Sequence, residues 1–145
     1  MNLGNVVRFR KQVEDLIKEE LALAEWEKSQ ERAKEQGLRQ DMDQLARELE
    51  QKLRHGVSGA YAAERYRWLE ETGQTLERQA EAIKRHDEKI AGLQDKLKEA
   101  HQGRRVIEVI MAKEQAKKKQ RYTRIEQREQ DDLVNLRYLR PGSEM

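Results

Sequence analysis

The side chains able to do chemistry in this chain are few and poorly spaced for it. His86 stands between Arg85 and Asp87, and His101 lies more than four helical turns further on, so local spacing assembles no metal cluster. The serines are Ser29, Ser58 and Ser143, none in a nucleophile-elbow pattern, and there is no cysteine to act as thiolate nucleophile or ligand. No GxxxxGK(S/T) loop is present to cradle the phosphates of a nucleotide. Neighbouring carboxylates such as Glu70/Glu71 and Asp131/Asp132 are ordinary on a charged helix and carry no special signal without a cleft around them. The expectation is a protein that is not an enzyme and takes no cofactor and no metal.

Binding chemistry is better represented. The stretch RRVIEVIMAKEQAKKKQR, 104–121, sets seven basic residues against Glu108 and Glu114 and holds the densest aliphatic cluster of the chain, Val106, Ile107, Val109, Ile110 and Met111. Lys117, Lys118, Lys119 and Arg121 suit phosphates, an anionic membrane or an acidic protein surface. Nucleic acid is the weaker choice, because the run is short and Tyr122–Arg140 balances four arginines with four carboxylates. That last stretch adds Tyr122, Ile125, Leu133, Leu136, Tyr138 and Leu139, groups that serve as anchors in a protein groove. Tyr61, Tyr66, Trp68 and Leu69 form a second cluster with Leu45, Leu49 and Leu53. Residues two apart do not share a helical face, so one of Tyr66 and Trp68 must point away from any seam.

The elements that must position these residues are helices. With 40% of its 145 residues charged, 36% hydrophobic and only one proline, the chain resembles long-helix proteins rather than a globular domain with a sheet. Leu69, Leu76, Ile83, Ile90 and Leu97 recur every seventh position, and Met111 falls on the same phase, the spacing of a left-handed supercoil. The companion row, Thr72, Gln79, His86, Leu93 and Ala100, is half polar. That suits a rod whose arms are joined covalently better than an obligate dimer, so the chain alone is expected to be a monomer. In the first half Phe9, Val13, Leu16, Ile17, Leu21, Leu23 and Ala24 mark an amphipathic helix, and the stripe resumes at Leu38, Met42, Leu45, Leu49 and Leu53. Leu16 and Leu23 stand one step out of phase with Leu38 and Leu45, which predicts a phase shift near Gly37.

The clear break is His55-Gly56-Val57-Ser58-Gly59, where Gly56 suits a left-handed helix end and Ser58 a helix start. The predicted fold is all-α: a long antiparallel two-helix coiled-coil hairpin with helix two overhanging helix one. It is expected as a single rod over 1–145, with helix one about 4–54, a turn at 55–59, helix two about 60–140 stopped by Pro141-Gly142, and a tail at 141–145. Folding about Val57 brings Leu53 near Tyr61 and Val6 near Glu108, and leaves about 30 residues beyond Met111 without an intrachain partner. The first residues, MNLGNVVRFRKQ, read as no secretory signal, and no run of eighteen apolar residues is present, so a soluble protein of a reducing cytoplasm is expected.

The stretches RFRKQVEDLIKEE, YRWLEETGQTLERQ and the long C-terminal segment RRVIEVIMAKEQAKKKQRYTRIEQREQDDLVNLRYLR resemble the FliJ family of flagellar export proteins, related to the stalk proteins of virulence-type type III secretion. That resemblance implies a central stalk that enters the ring of the hexameric export ATPase, assists its assembly and activity, and links it to the cytoplasmic domain of the export gate and to export chaperones. Membrane association would come through partners only, at the cytoplasmic face of the export apparatus, and no nucleic acid is involved. It implies an ATPase-facing region of Val6, Phe9, Arg104, Arg105, Ile107, Met111, Lys117, Lys118, Lys119 and Arg121. By similarity, a gate-facing region comprises Tyr66, Trp68, Leu69, Gly73, Leu76 and Ala80. The alternative reading is a structural or tethering coiled coil of another system.

Overall fold

The computed structural model describes residues 2–139, with the side chains of 2–138. It is an all-α, two-helix hairpin: α1 spans Leu3–His55 and α2 spans Gly59–Leu139. Pro141-Gly142 and the tail 141–145, expected to end α2, lie outside the described residues. The chain forms two compact units, one of 14–99 and one of 1–13 with 100–145.

In the 14–99 unit the chain reverses at 56–58. Gly56 adopts φ +84°, the left-handed conformation that ends α1 at little cost only for a residue without Cβ. Ser58 starts α2: its Oγ accepts the Tyr61 backbone N–H at 3.2 Å and its carbonyl accepts that of Ala62 at 3.2 Å. Tyr61 and Lys52 clamp the two arms together, Lys52 Nζ donating to Tyr61 Oη at 2.8 Å with the ammonium 4.6 Å from the ring centre. Farther along, Lys28 pairs with Asp87, and these two contacts mark the antiparallel register.

The seam that this register closes is narrow. On α1 it is lined by Ile17, Ala24, Glu31, Leu38 and Leu45, alternating with Glu14, Leu21, Lys28, Glu35, Met42 and Leu49, all buried or half-buried. On α2 it is lined by Leu69, Leu76, Ile83, Ile90 and Leu97 and by the half-polar row Thr72, Gln79, His86 and Leu93. Both rows keep a seven-residue repeat through Gly37, so the phase shift expected there is absent. Leu16 and Leu23, which suggested it, are 59% and 56% exposed, whereas the adjacent Ile17 and Ala24 face the seam. A continuous repeat avoids the local unwinding that a phase slip imposes. It also sets small Ala24 at about the level of Ile90, where a second large side chain would crowd the seam.

The second unit joins the first turns of α1 to the far part of α2. Asn2 begins α1 by accepting the Gly4 backbone N–H on Oδ1 at 3.0 Å, a start signal the hydrophobic pattern does not contain. Leu3, Val6 and Val7 are half-buried, as are Ala100, Gly103, Arg104, Ile107 and Met111 of α2. From Ala112 to Tyr138 every residue is exposed.

Candidate partner-binding surfaces

Two surfaces collect the side chains singled out by sequence, one in each unit. In the 14–99 unit, Tyr66, Gly73 and Ala80 follow one another at seven-residue steps beside the seam row of Leu69 and Leu76. Tyr66 is 54% exposed and points outward while Trp68 is half-buried, which resolves the expectation that one of the two leaves the seam. Leu69 and Leu76 are half-buried against α1, so they offer only an edge and the outer contact falls to Tyr66, Gly73 and Ala80. Gly73 has no heavy atom within 4 Å of where a Cβ would stand, which leaves its surface open. Ala80 and Ile83 floor a shallow depression walled by Arg32, Glu35, Gln36 and Arg39 of α1, the Arg39 guanidinium held by Glu35 at 3.0 Å. These α1 residues were not foreseen, because on one helix they read as an ordinary solvated charge run. Only the pairing of two helices makes them the wall of a groove.

In the other unit the aliphatic cluster divides as its density requires. Ile107 and Met111 are half-buried with Val6, while Val106, Val109 and Ile110 are exposed. Phe9 is also turned outward, at 64% exposure, and with Val6, Val13, Arg10 and Ala100 it lines an open apolar hollow. The Arg10 guanidinium lies over Gly103 so closely that a Cβ there would stand 2.6 Å from Nη1, a role for both residues that spacing alone did not signal.

The basic residues of this unit fall into two states. Arg104 and Arg105 share one carboxylate, donating to Glu108 at 2.5 Å and 3.3 Å, and Arg104 also meets His101 Nδ1 at 3.2 Å. They act as a partly neutralised collar rather than as open cations. Lys117, Lys118 and Arg121 share one surface with Glu114. Lys119 instead sits with Ala116, Gln120, Thr123 and Arg124, so the four cations grouped by sequence present two faces.

Among the described residues no group of three or more histidine or carboxylate side chains is placed to hold a metal ion. No helix of the described residues is long and apolar enough to cross a membrane. The family described as the flagellar FliJ protein matches residues 1–143. No curated protein and no solved structure matches the chain.

Proposed function

Because the chain belongs to the FliJ family, a non-enzymatic central-stalk component of flagellar protein export that interacts with the export ATPase complex, we propose how its two surfaces divide that work. The unit of 1–13 and 100–145 meets the hexameric ATPase ring through Val6, Phe9, Ile107 and Met111, the Arg104–Arg105 collar, and Lys117, Lys118, Lys119 and Arg121. The 14–99 unit meets the cytoplasmic domain of the export gate through Tyr66, Trp68, Gly73 and Ala80 with the edges of Leu69 and Leu76. Export chaperones are further partners, and the protein works in the cytoplasm at the membrane-bound apparatus.

The observation that carries this division is the coincidence, in one unit, of uncovered aliphatic side chains with uncovered cations. A ring can hold such a surface in more than one orientation, since charge and shape tolerate rotation better than a set of fixed hydrogen bonds does. If one ring conformation binds the stalk more tightly, turnover rises by population shift, with no catalytic group from this chain. The test is ring binding and ATPase stimulation by a variant with Lys117, Lys118, Lys119 and Arg121 all changed to Gln. Affinity should fall, and the dependence of binding on salt should flatten. Unchanged affinity at low salt would remove these residues from the interface.

A further inference from the structure

The uncovered part of α2 carries a seam pattern of its own. Against α1 the helix presents Ala100, Arg104, Ile107 and Met111, in steps of four, three and four. A second four-residue step from Met111 leads to Gln115, Lys118, Tyr122, Ile125, Glu129, Asp132 and Leu136, which again alternate by three and four. The repeated step is a stutter: it turns the helix surface so that a second stripe begins where the first has ended. Every residue of that second stripe after Met111 is exposed.

Laid against itself in reverse, the stripe is complementary. Antiparallel helices pair alternate core positions of one with the opposite positions of the other. Here that sets Met111 level with Leu136 of the other copy, Gln115 with Asp132, Lys118 with Glu129 and Tyr122 with Ile125, each pair occurring twice about a two-fold axis. Apolar groups meet apolar groups, an ammonium meets a carboxylate, and an amide meets a carboxylate. On one flank of the stripe Lys119 faces Glu126 and Ala112 faces Leu133, and on the other Arg121 faces Arg128, each pair about two residues off level; these flanking charges lie at the solvated rim, where they count least, so the charge argument rests on Lys118 and Glu129. A parallel pair would instead stack Lys118 on Lys118, Glu129 on Glu129 and Asp132 on Asp132, so charge selects the antiparallel arrangement. The half-polar row that argues for a monomer is a different surface, one that faces α1.

We propose that a second copy of this chain covers this face, the two copies pairing antiparallel through residues 111–136 about an axis near Thr123 and Arg124. The paired stretch is about 39 Å long, short enough for association to be reversible; because it covers Met111 and Lys118, it competes with the ring contact proposed above, and its test uses the chain alone and is read independently of any export partner. Sedimentation equilibrium of the full chain over a concentration series tests it. The mass should rise from the 17.2 kDa of one chain toward twice that. Lys118→Glu and Glu129→Lys should each weaken association about tenfold or more at low salt, since each repels at two symmetric places. The variant with both changes restores opposite charges and should recover to within about threefold of the natural chain. Orientation is read by mixing Gln115→Cys with Asp132→Cys chains, feasible because the natural sequence has no cysteine: the mixed disulfide should outnumber both homodisulfides. A chain that stays monomeric at several hundred micromolar, a double variant as weak as the single ones, or a predominance of homodisulfides would each overturn the proposal.

Discussion

The same kind of helix behaves in opposite ways in 14–99 and in 112–138. In the first, two helices cover each other and Leu49, Ile83 and Leu93 are buried; in the second, Tyr122, Ile125 and Leu136 recur at comparable spacing and stand more than half exposed. The difference lies in what stands opposite, since both stretches are highly charged helix. A seven-residue repeat therefore says which side of a helix is prepared for contact, and only the opposing element decides whether the contact is made within the chain. Stability should concentrate where coverage exists, and binding where it does not.

The sharpest way to break that contrast is to remove an apolar side chain from each stretch. Leu49→Ala deletes a side chain only 3% exposed and should cost about 2–3 kcal/mol, seen as a lower urea midpoint. Ile125→Ala in dilute protein should move that midpoint by less than about 0.5 kcal/mol equivalent. Equal costs would mean that residues 112–138 are covered in solution by something the chain itself supplies.

A second substitution tests the polar side of the seam. Gln79 places its Oε1 in the 14–99 unit, buried and without a hydrogen-bond partner. A carbonyl in that position forfeits its hydration and gains nothing in return. Gln79→Leu should therefore raise stability by about 1–2 kcal/mol, read as a higher melting temperature. A fall would show that the polar row is held by water or a partner instead of being merely tolerated by the fold.

That row also marks where sequence reading reached and where it stopped. Thr72, Gln79 and His86 were placed beside the seam correctly because they keep step with Leu69, Leu76 and Ile83, and phase survives a change of polarity. Gly56 and Ser58 were legible for a local reason, since a left-handed helix end and a side-chain helix start need only neighbouring residues. The first helix misled, because Leu23 is larger than Ala24 while Leu16 has an isomer of equal size beside it in Ile17, so apolar bulk favours the wrong one of two adjacent stripes. Which of two adjacent stripes is buried depends on the opposing helix, and neither Glu14, at 3% exposure, nor Ala24 announces itself as core. The groove of Arg32 and Arg39 over Ala80, and Arg10 over Gly103, were invisible for the same reason: each joins residues from different helices.

Glycines should separate turn from helix by sign. Gly56→Ala imposes a Cβ on a residue at φ +84° and should cost about 1 kcal/mol. Gly37→Ala, in a helix with no heavy atom within 4 Å of the added carbon, should gain about 1 kcal/mol of helix propensity. Both are read from urea midpoints, and a loss at Gly37 would mean that the close seam continuing past it depends on the missing side chain.

The smallest effect expected is electrostatic, and it probes the 14–99 unit at one contact. Lys28 holds the Asp87 carboxyl below its usual range, chiefly through their hydrogen bond and against a smaller opposing contribution from burial. A carboxyl depressed on folding stabilises the folded state above its unfolded pKa, near about 4, and that contribution fades as pH falls through the lower folded value. Lys28→Gln should move the Asp87 titration, followed by carboxyl-carbon NMR, upward toward the ordinary carboxylate value and flatten the acid limb of the stability profile below about pH 4. Asp87 is about half exposed, with its side chain at 48%, so moderate salt should erase most of the difference between the two proteins. An Asp87 titration that stays depressed in Lys28→Gln would shift the cause to the remaining cations beside it, Arg32 and His86. It would also remove Lys28–Asp87 as a determinant of register and leave that role to the aliphatic rows and the clamp of Lys52 on Tyr61.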